Sequence, residues 1–299
     1  MKLLFTVVTL LSTSLVMAQD FGAMFSPHQP LAVLSLSGQA GDPARESEVA
    51  GGIRLYSDDK QNFGVGGKWR RLGFKGSDPR LLNYDEIEAG FNYRRSFSEN
   101  RFWSVSANYG SASDKPFDSS DVSFFEVTGL VKFNDRWYGA LNFSTNRTFA
   151  NNIPLPGFFY VHTMSREKVL IFGLPFAFIK VPMGNSFSFQ YLGVLPWRHA
   201  FKITLEREGV KPYLFLQQTP ESLIPSSRSN EDDRFYWAKR ELGLGLEGRW
   251  QALRWDAAIG ASVRQQFYVA EDFNDSTKNG LVEPDNAGFI RLNIKYLFK

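Results

Sequence analysis

The chain has three histidines, His28, His162 and His199, and these are the side chains best suited to act as general bases. His162 lies close to Ser165 in the sequence, and a histidine that contacts a serine is an arrangement used in nucleophilic catalysis. However, the sequence contains no Gly-x-Ser-x-Gly motif, and no spacing fixes a histidine next to a serine. We therefore expect polar, interfacial roles for these histidines and no enzymatic activity. A lipid-modifying enzyme, either a phospholipase or an acyltransferase, is the alternative.

A second candidate site is the segment 272–283, which partly matches a calcium-binding loop. Asp272, Asn274 and Glu283 occupy template positions that usually supply oxygen ligands. The glycine required for the sharp turn is missing, because Thr277 stands at that position. We expect a solvated loop here, with no bound metal and no other cofactor.

The third group of chemically active residues is a set of charged side chains that share one face of the predicted strands. Their chemistry is ion pairing and the attraction of anions, because ten cations oppose six carboxylates. The set consists of Lys68, Arg70, Glu86, Glu88, Arg94, Glu126, Lys132, Lys239, Glu241, Glu247, Arg249, Arg254, Asp256, Arg264, Arg291 and Lys295.

The elements that position these charges are strands with strict alternation between apolar and polar residues. The segment 288–298 is the clearest, and 236–250 and 253–269 follow the same pattern. Side chains of a strand alternate between its two faces, so one face requires an apolar environment and the other requires water. In 288–298 the apolar members are Ile290, Leu292, Ile294, Tyr296 and Phe298, and the polar members are Arg291, Asn293 and Lys295. This pattern is typical of the wall of a transmembrane barrel.

Composition agrees with a barrel that faces lipid. Aromatic residues make up 15% of the chain, yet the mean hydropathy is −0.26. The apolar run after Lys2 is too short to span a bilayer as a helix, and we interpret residues 1–18 as a signal peptide. Residues 19–30 are then a short periplasmic lead-in, and 31–299 are a single barrel domain. The chain has no cysteine, and its net charge of +3 is too small to indicate a nucleic-acid partner.

The fold class predicted from these patterns is all-β, an antiparallel transmembrane β-barrel of about fourteen strands, with twelve as the alternative. Short and long connections alternate along most of the chain, as tight periplasmic turns and larger external loops require. Between residues 168 and 219 this alternation fails: the candidate strands are 168–178, 186–194, 199–206 and 211–219. The total comes to fifteen strands, and because single-chain bacterial barrels have even numbers, one segment must be misassigned.

Several short motifs resemble one known group of proteins. These motifs are Ile153-Pro154-Leu155-Pro156-Gly157-Phe158, Phe172-Gly173-Leu174-Pro175-Phe176, Asp233-Arg234-Phe235-Tyr236 with Lys239-Arg240, and the last strand with its aromatic end. Together they resemble an uncharacterised family of outer-membrane β-barrels, a domain of unknown function that is common in the Bacteroidetes. The resemblance extends from about residue 30 to residue 298 and implies a barrel in the outer membrane, without any functional residue.

These observations predict a narrow passive channel or a structural surface protein with a charged lumen in the outer membrane of a Gram-negative bacterium. The expected partners are outer-membrane lipid and, through the C-terminal strand, the barrel-assembly machinery, and the protein is expected to be a monomer. A transporter of apolar small molecules is a further alternative, which would need an apolar stripe inside the lumen or a gap in the wall.

Overall fold

The computed structural model describes residues 31–75, 83–98, 101–146, 152–163, 168–194, 198–228, 230–271, 273 and 281–298. Within these ranges sixteen antiparallel strands form one closed barrel, in which each strand pairs with its neighbours in sequence and β1 pairs with β16. A 3-10 turn, Ser120–Val122, precedes β6. The strands are β1 Ala32–Gly41, β2 Ala44–Ser57, β3 Gln61–Phe74, β4 Asn83–Ser98, β5 Arg101–Ser113, β6 Ser123–Lys132, β7 Trp137–Ser144, β8 Leu155–Thr163, β9 Val169–Leu174, β10 Phe176–Met183, β11 Phe187–Val194, β12 Arg198–Leu205, β13 Lys211–Leu223, β14 Arg234–Trp250, β15 Leu253–Ala270 and β16 Ala287–Phe298.

Closure of the barrel depends on the alternating last strand. The β1–β16 ladder runs from Ala32 opposite Phe298 to Gly41 opposite Phe289, so β16 pairs along nearly its whole length. With an even number of antiparallel strands, β1 begins and β16 ends at the same rim, which we call the terminal rim. The opposite end is called the distal rim. Because the sheet is closed, no strand edge is left unpaired along this ladder.

The expected count of about fourteen strands, or twelve, is wrong, because the barrel has sixteen. The predicted segment 168–178 contains two strands, β9 and β10, which are separated by Pro175 alone. Proline cannot donate to a strand ladder and therefore ends β9, although the apolar sequence continues through it. Splitting this segment turns fifteen candidates into sixteen, and it explains why two short connections follow each other here.

The outer surface of the barrel carries a belt of exposed apolar side chains. Ile259 is 61% exposed and Ile290 is 66% exposed, and both would be expected inside a water-soluble protein. Trp250 and Tyr296 lie at the terminal rim, where the rings of a barrel commonly mark the boundary between apolar and polar surroundings. Among the described residues, no helix is long and apolar enough to cross a membrane.

The wall of the barrel is uneven in length. The neighbouring strands β14 and β15 have 17 and 18 residues, whereas β9 has six. At about 3.3 Å per residue, the long strands extend well beyond the short ones. The long wall, β13–β16 with β2–β5, contains most of the predicted charged residues, and the short wall is formed by β7–β12.

Candidate functional site

Fifteen of the sixteen charged residues predicted to face the lumen lie on the inner face of the barrel. This follows from strand alternation and register, since paired residues such as Lys68 and Glu88 share one face. The fifteen are Lys68, Arg70, Glu86, Glu88, Arg94, Glu126, Lys132, Lys239, Glu241, Glu247, Arg249, Arg254, Asp256, Arg291 and Lys295.

Arg264 lies on the outer face, so the prediction for this residue is wrong. The β14–β15 ladder pairs Arg240 with Arg264 but Glu241 with Ser262, and Val263 is therefore an extra residue. Such a bulge reverses the faces of all later residues in the strand, which turns Arg264 outward and Phe267 inward. The Arg264 guanidinium binds Glu283 at 3.2 Å, and its side chain is 52% exposed.

A network of buried ion pairs crosses the lumen between strands that are not neighbours in the sheet. Lys68 Nζ lies 2.7 Å from Glu86 Oε1 and 2.6 Å from Glu88 Oε1. The Arg70 guanidinium contacts Glu46 at 2.8 Å, Glu86 at 3.2 Å and Glu221 at 3.0 Å. Arg70 belongs to β3 and Glu221 to β13, so this contact joins two sides of the barrel.

The network continues to β14 through two of its inner-face charges, Lys239 and Glu241. Lys239 Nζ lies 3.8 Å from Glu46 and 3.7 Å from Glu241. Glu241 also accepts a hydrogen bond of 2.7 Å from Gln39 and one from Gln217, and its side chain is fully buried. Buried charges are stable only when they are paired in this way.

Sequence reasoning missed two carboxylates of this network, Glu46 and Glu221. Glu46 and Glu48 stand two residues apart on β2 before the outward-facing Val49, so alternation by itself was a sufficient signal for them. Glu221 lies beyond the predicted strand 211–219, whereas β13 continues to Leu223. Pro220 made the prediction end the strand too early, because proline inside an apolar run argues against a strand.

An aromatic cluster, which we call the lid, closes the lumen near the distal rim. Phe74 of β3 contacts Phe235, Trp237 and Phe267, with ring centroids 5.8, 5.2 and 5.5 Å apart, in edge-to-face geometry. Tyr84 stacks on Phe235 at 5.7 Å. The rings come from β3, β4, β14 and β15, so the lid joins two separate parts of the wall.

The segment 222–226, which we call the crossover, spans the lumen next to the lid. The backbone N–H of Ile224 donates to the carbonyl oxygen of Ala112 at 2.7 Å. Ser226 donates from its N–H and its hydroxyl to the Asp114 carboxylate at 2.6 and 2.7 Å. Because β5 and β13 are eight strands apart in a barrel of sixteen, this contact divides the distal opening into two parts.

Part of the inner face of β5–β11 is apolar, which the sequence analysis did not expect. Its buried side chains form one cluster, called the apolar cluster: Phe102, Leu130, Tyr138, Phe159, Val161, Val169, Ile171, Phe176, Phe178 and Leu192. Three predicted charges border it. Arg94 lies over the ring of Phe102 at 4.0 Å, Glu126 accepts a hydrogen bond from Asn142, and Lys132 pairs with Asp135. The charged lumen therefore lies mainly on the side formed by β13–β16 and β1–β4, and Lys180, Arg198 and Lys202 add charges on the inner face of β10 and β12.

A polar cavity of about 600 Å³ opens on this charged side near the terminal rim. Its charged lining consists of Lys211, Glu247, Arg249, Arg254, Asp256 and Lys295, and Ser35 and Asn293 add uncharged polar groups. Above it, the Arg291 guanidinium lies 4.7 Å from the centre of the Phe215 ring. The charged side thus holds a cavity at one end and a closed section at the other.

Two of the three histidines lie on the outer face of the barrel. His162 pairs with Leu170, and His199 pairs with Gln218. His199 Nδ1 and the Tyr191 hydroxyl are 3.0 Å apart and share a hydrogen bond. His28 and Ser165 lie outside the described residues, so the serine-histidine candidate stays a prediction.

The calcium-loop candidate also falls mostly outside the described residues, which omit 272 and 274–280. Glu283 is described, and its carboxylate accepts hydrogen bonds from Arg264 and Gln266. Within the described ranges, no group of three histidine, cysteine, aspartate or glutamate side chains is arranged to hold a metal ion.

Comparison with known proteins finds only distant similarity to solved structures. No protein-family model matches it, and no curated protein sequence is similar to it. The Acinetobacter baumannii outer membrane protein Omp33 is 9% identical over 91% of this chain and 100% of its own, with a TM-score of 0.37. The Pseudomonas putida toluene transporter TodX is 10% identical over 93% and 91%, with a TM-score of 0.37. LpxR from Salmonella typhimurium is 7% identical over 89% and 100%, with a TM-score of 0.34.

Proposed function

We propose that this chain is an outer-membrane β-barrel of a Gram-negative bacterium and that it acts as a narrow passive channel in a closed conformation. The exposed apolar belt supports a membrane location, because lipid rather than water is its favourable surrounding. In this proposal residues 1–18 are a cleaved signal peptide and β16 engages the barrel-assembly machinery. The barrel acts as a monomer, and membership of the uncharacterised Bacteroidetes family stays a prediction.

The observation that carries the proposal is the contrast between the two sides of the lumen. A barrel with only a structural role can fill its interior with apolar side chains, as the apolar cluster does. Burying several charges costs desolvation energy that apolar filling avoids, so stability alone gives no reason to retain them. The charged side instead leads from the ion-pair network to a cavity of about 600 Å³, which supports a hydrated route along β13–β16 and β1–β4.

The proposed channel is closed by two barriers on this charged side. The Arg70–Glu221 ion pair bridges β3 and β13, and the lid and crossover lie beyond it at the distal rim. Ion pairs can separate and become hydrated without unfolding the wall. Opening therefore requires rearrangement of side chains and of the crossover, while the strand ladders remain intact.

The test is single-channel conductance of the refolded chain in a planar bilayer, with heat-modifiable gel mobility to show folding. We expect rare openings of the unmodified protein and frequent openings of Glu221→Gln, because this change removes the bridging charge and keeps the shape of the side chain. Glu283→Gln is the matched control, since Glu283 binds Arg264 outside the lumen.

Three outcomes decide the proposal. Frequent steps for Glu221→Gln, with Glu283→Gln unchanged, support a channel on the charged side. Silence of both folded variants contradicts the proposal and favours a structural surface protein. Equal openings of both variants would place conduction somewhere other than the ion-pair network, which also contradicts it.

Transport of apolar small molecules is a second candidate, favoured by the position of the apolar cluster behind the short wall at β9. The ten side chains of this cluster are buried against one another, so a ligand must displace some of them. Saturable binding of toluene by the detergent-solubilised barrel, abolished by Val161→Trp, would support this candidate. Lack of saturable binding by the folded protein would reject it.

A further inference from the structure

Three cations stand side by side in register at the terminal rim. On the inner face, Arg249 of β14 pairs directly with Arg254 of β15, and Arg254 pairs directly with Lys295 of β16. Directly opposed side chains in an antiparallel ladder have Cβ atoms about 4.5 to 5.5 Å apart, and like charges there are destabilising. We call these three residues the cation row. The direct opposition of Arg249 and Arg254 lowers stability unless a negative charge lies close to both.

The nearest carboxylates do not supply this compensation. In the next inner-face row Glu247 pairs with Asp256, and Asp256 pairs with Asn293. Glu247 binds Lys202 Nζ at 2.6 Å, and Asp256 accepts a hydrogen bond of 3.0 Å from Asn293 and another from the Tyr213 hydroxyl. Both carboxylates are therefore engaged with other donors.

The guanidinium groups of Arg249 and Arg254 keep hydrogen-bond donors that can bind a ligand. Arg249 donates from Nε to the carbonyl oxygen of Gln251 at 3.0 Å. Within the described part of the chain, neither Arg249 nor Arg254 has a carboxylate oxygen within 4.0 Å. A guanidinium group offers a planar fork of donors that matches a carboxylate or a phosphate, so two such forks remain available.

The space in front of the row suits a small solute. The polar cavity of about 600 Å³ is lined by all three members of the row, together with Ser35 and Asn293. This volume lies within the range of about 300 to 1,000 Å³ that is typical of small-molecule sites. Hydroxyl and amide groups beside the cations can bind further oxygens of the same ligand.

We propose that the cation row is a binding site for an oxyanion with at least two negative charges, of the phosphate monoester type. The inference rests on the proposed channel, for which the row would be the anion-selecting element at the terminal rim. The phosphate can belong to a soluble ester or to the headgroup of a lipid at that rim, and the chemistry of recognition is the same. Its negative charge compensates Arg249 and Arg254, which Glu247 and Asp256 do not.

The test measures binding directly on the folded full-length barrel in a non-ionic detergent, by calorimetric titration with inorganic pyrophosphate at low salt. We expect saturable binding that is weakened about tenfold or more by Arg254→Gln and by Arg249→Gln, since each loses a charge-assisted contact. Arg264→Gln is the matched control, because Arg264 is on the same strand but faces outward. Its affinity should equal that of the unmodified protein.

The outcome that overturns the site is equally direct. Absence of saturable binding by the folded protein, or equal affinity of the Arg249→Gln/Arg254→Gln double variant, rejects it. Equal weakening by Arg264→Gln also rejects it, because the effect would then reflect overall charge.

Adding short-chain lipids to the titration distinguishes a soluble ester from a lipid headgroup as the source of the phosphate. Competition by phosphatidic acid, whose headgroup is a phosphate monoester, but not by phosphatidylcholine, supports a lipid headgroup as the occupant of the row. Unchanged pyrophosphate affinity supports a soluble ester. Because binding is measured without a current, a protein that binds pyrophosphate but never conducts keeps the site and contradicts only the channel.

Discussion

The charged side and the apolar side of the lumen are filled by different kinds of interaction. Both must fill the interior of a sixteen-stranded barrel, and both contain buried residues on alternating inner positions. The apolar side does so with the apolar cluster, whose side chains pack against one another. The charged side uses partners from non-adjacent strands, such as Arg70 with Glu221, and leaves a cavity at one end.

This difference indicates where change is possible. Apolar packing loses contacts as soon as side chains separate, so the apolar side should be the rigid part of the interior. Ion pairs can exchange their partners for water, which makes the charged side the part that can open. The predictions below test this division, from the largest expected effect to the smallest.

The largest effect is expected from Arg70→Ala. This change leaves Glu46, Glu86 and Glu221 buried without their shared cation, and loss of one partner of a buried pair costs about 3 to 5 kcal/mol. The free energy of unfolding, measured by tryptophan fluorescence in urea and detergent, should fall by this amount, and conductance should appear. Arg71→Ala is the control, because Arg71 faces outward and binds Asp85. Similar losses of unfolding free energy for both variants would show that the buried network contributes no more to stability than an exposed ion pair does.

Phe159→Ala tests the apolar side. Phe159 is buried against Tyr138 and Phe176, with ring centroids 5.3 and 5.0 Å apart, and Phe→Ala in a core costs about 3 to 5 kcal/mol. The unfolding free energy should fall without any conductance, because no hydrated route passes through this side. Phe158→Ala, the outward-facing neighbour, should have a much smaller effect. Conductance steps from Phe159→Ala would contradict the proposal that only the charged side can open.

Asp114→Asn tests the crossover. The Asp114 carboxylate accepts both hydrogen bonds from Ser226, and weakening them should cost about 1 to 3 kcal/mol. We expect faster proteolysis within 222–226 and a higher opening frequency, with unchanged strand content by circular dichroism. Asp118→Asn provides the comparison outside this contact. Protection of the segment against protease in Asp114→Asn would contradict its role in closing the distal opening.

The smallest effect is expected from Arg264→Ala. An exposed ion pair with Glu283 contributes little, so stability and conductance should both match the unmodified barrel. Arg254→Ala should raise stability slightly, because it removes the repulsion between directly opposed cations, and it should reduce the preference of open channels for anions, measured as a reversal potential in a salt gradient. An equal shift in reversal potential for Arg264→Ala would contradict the outward position of this residue.

Much of the site could be predicted from the alternation of apolar and polar residues, and each wrong prediction has a physical cause. Lys239, Glu241, Glu247 and Arg249 were placed correctly because β14 alternates without interruption up to the rim. The predicted face of Arg264 was wrong because a bulge at Val263 adds one residue to the strand. No feature of the local sequence indicates this bulge. Glu221 was lost because Pro220 made a strand resemble a loop.

By itself, the sequence determined the class of this protein: strict alternation along strands such as β16 assigns each side chain to one of two faces, and that requires only local geometry. The tertiary structure alone decided that sixteen strands close, that Arg70 meets Glu221, and that one side of the lumen is apolar. Alternation states which residues share a face, but contacts across a barrel depend on the strand number, the register and the bulges of the whole wall.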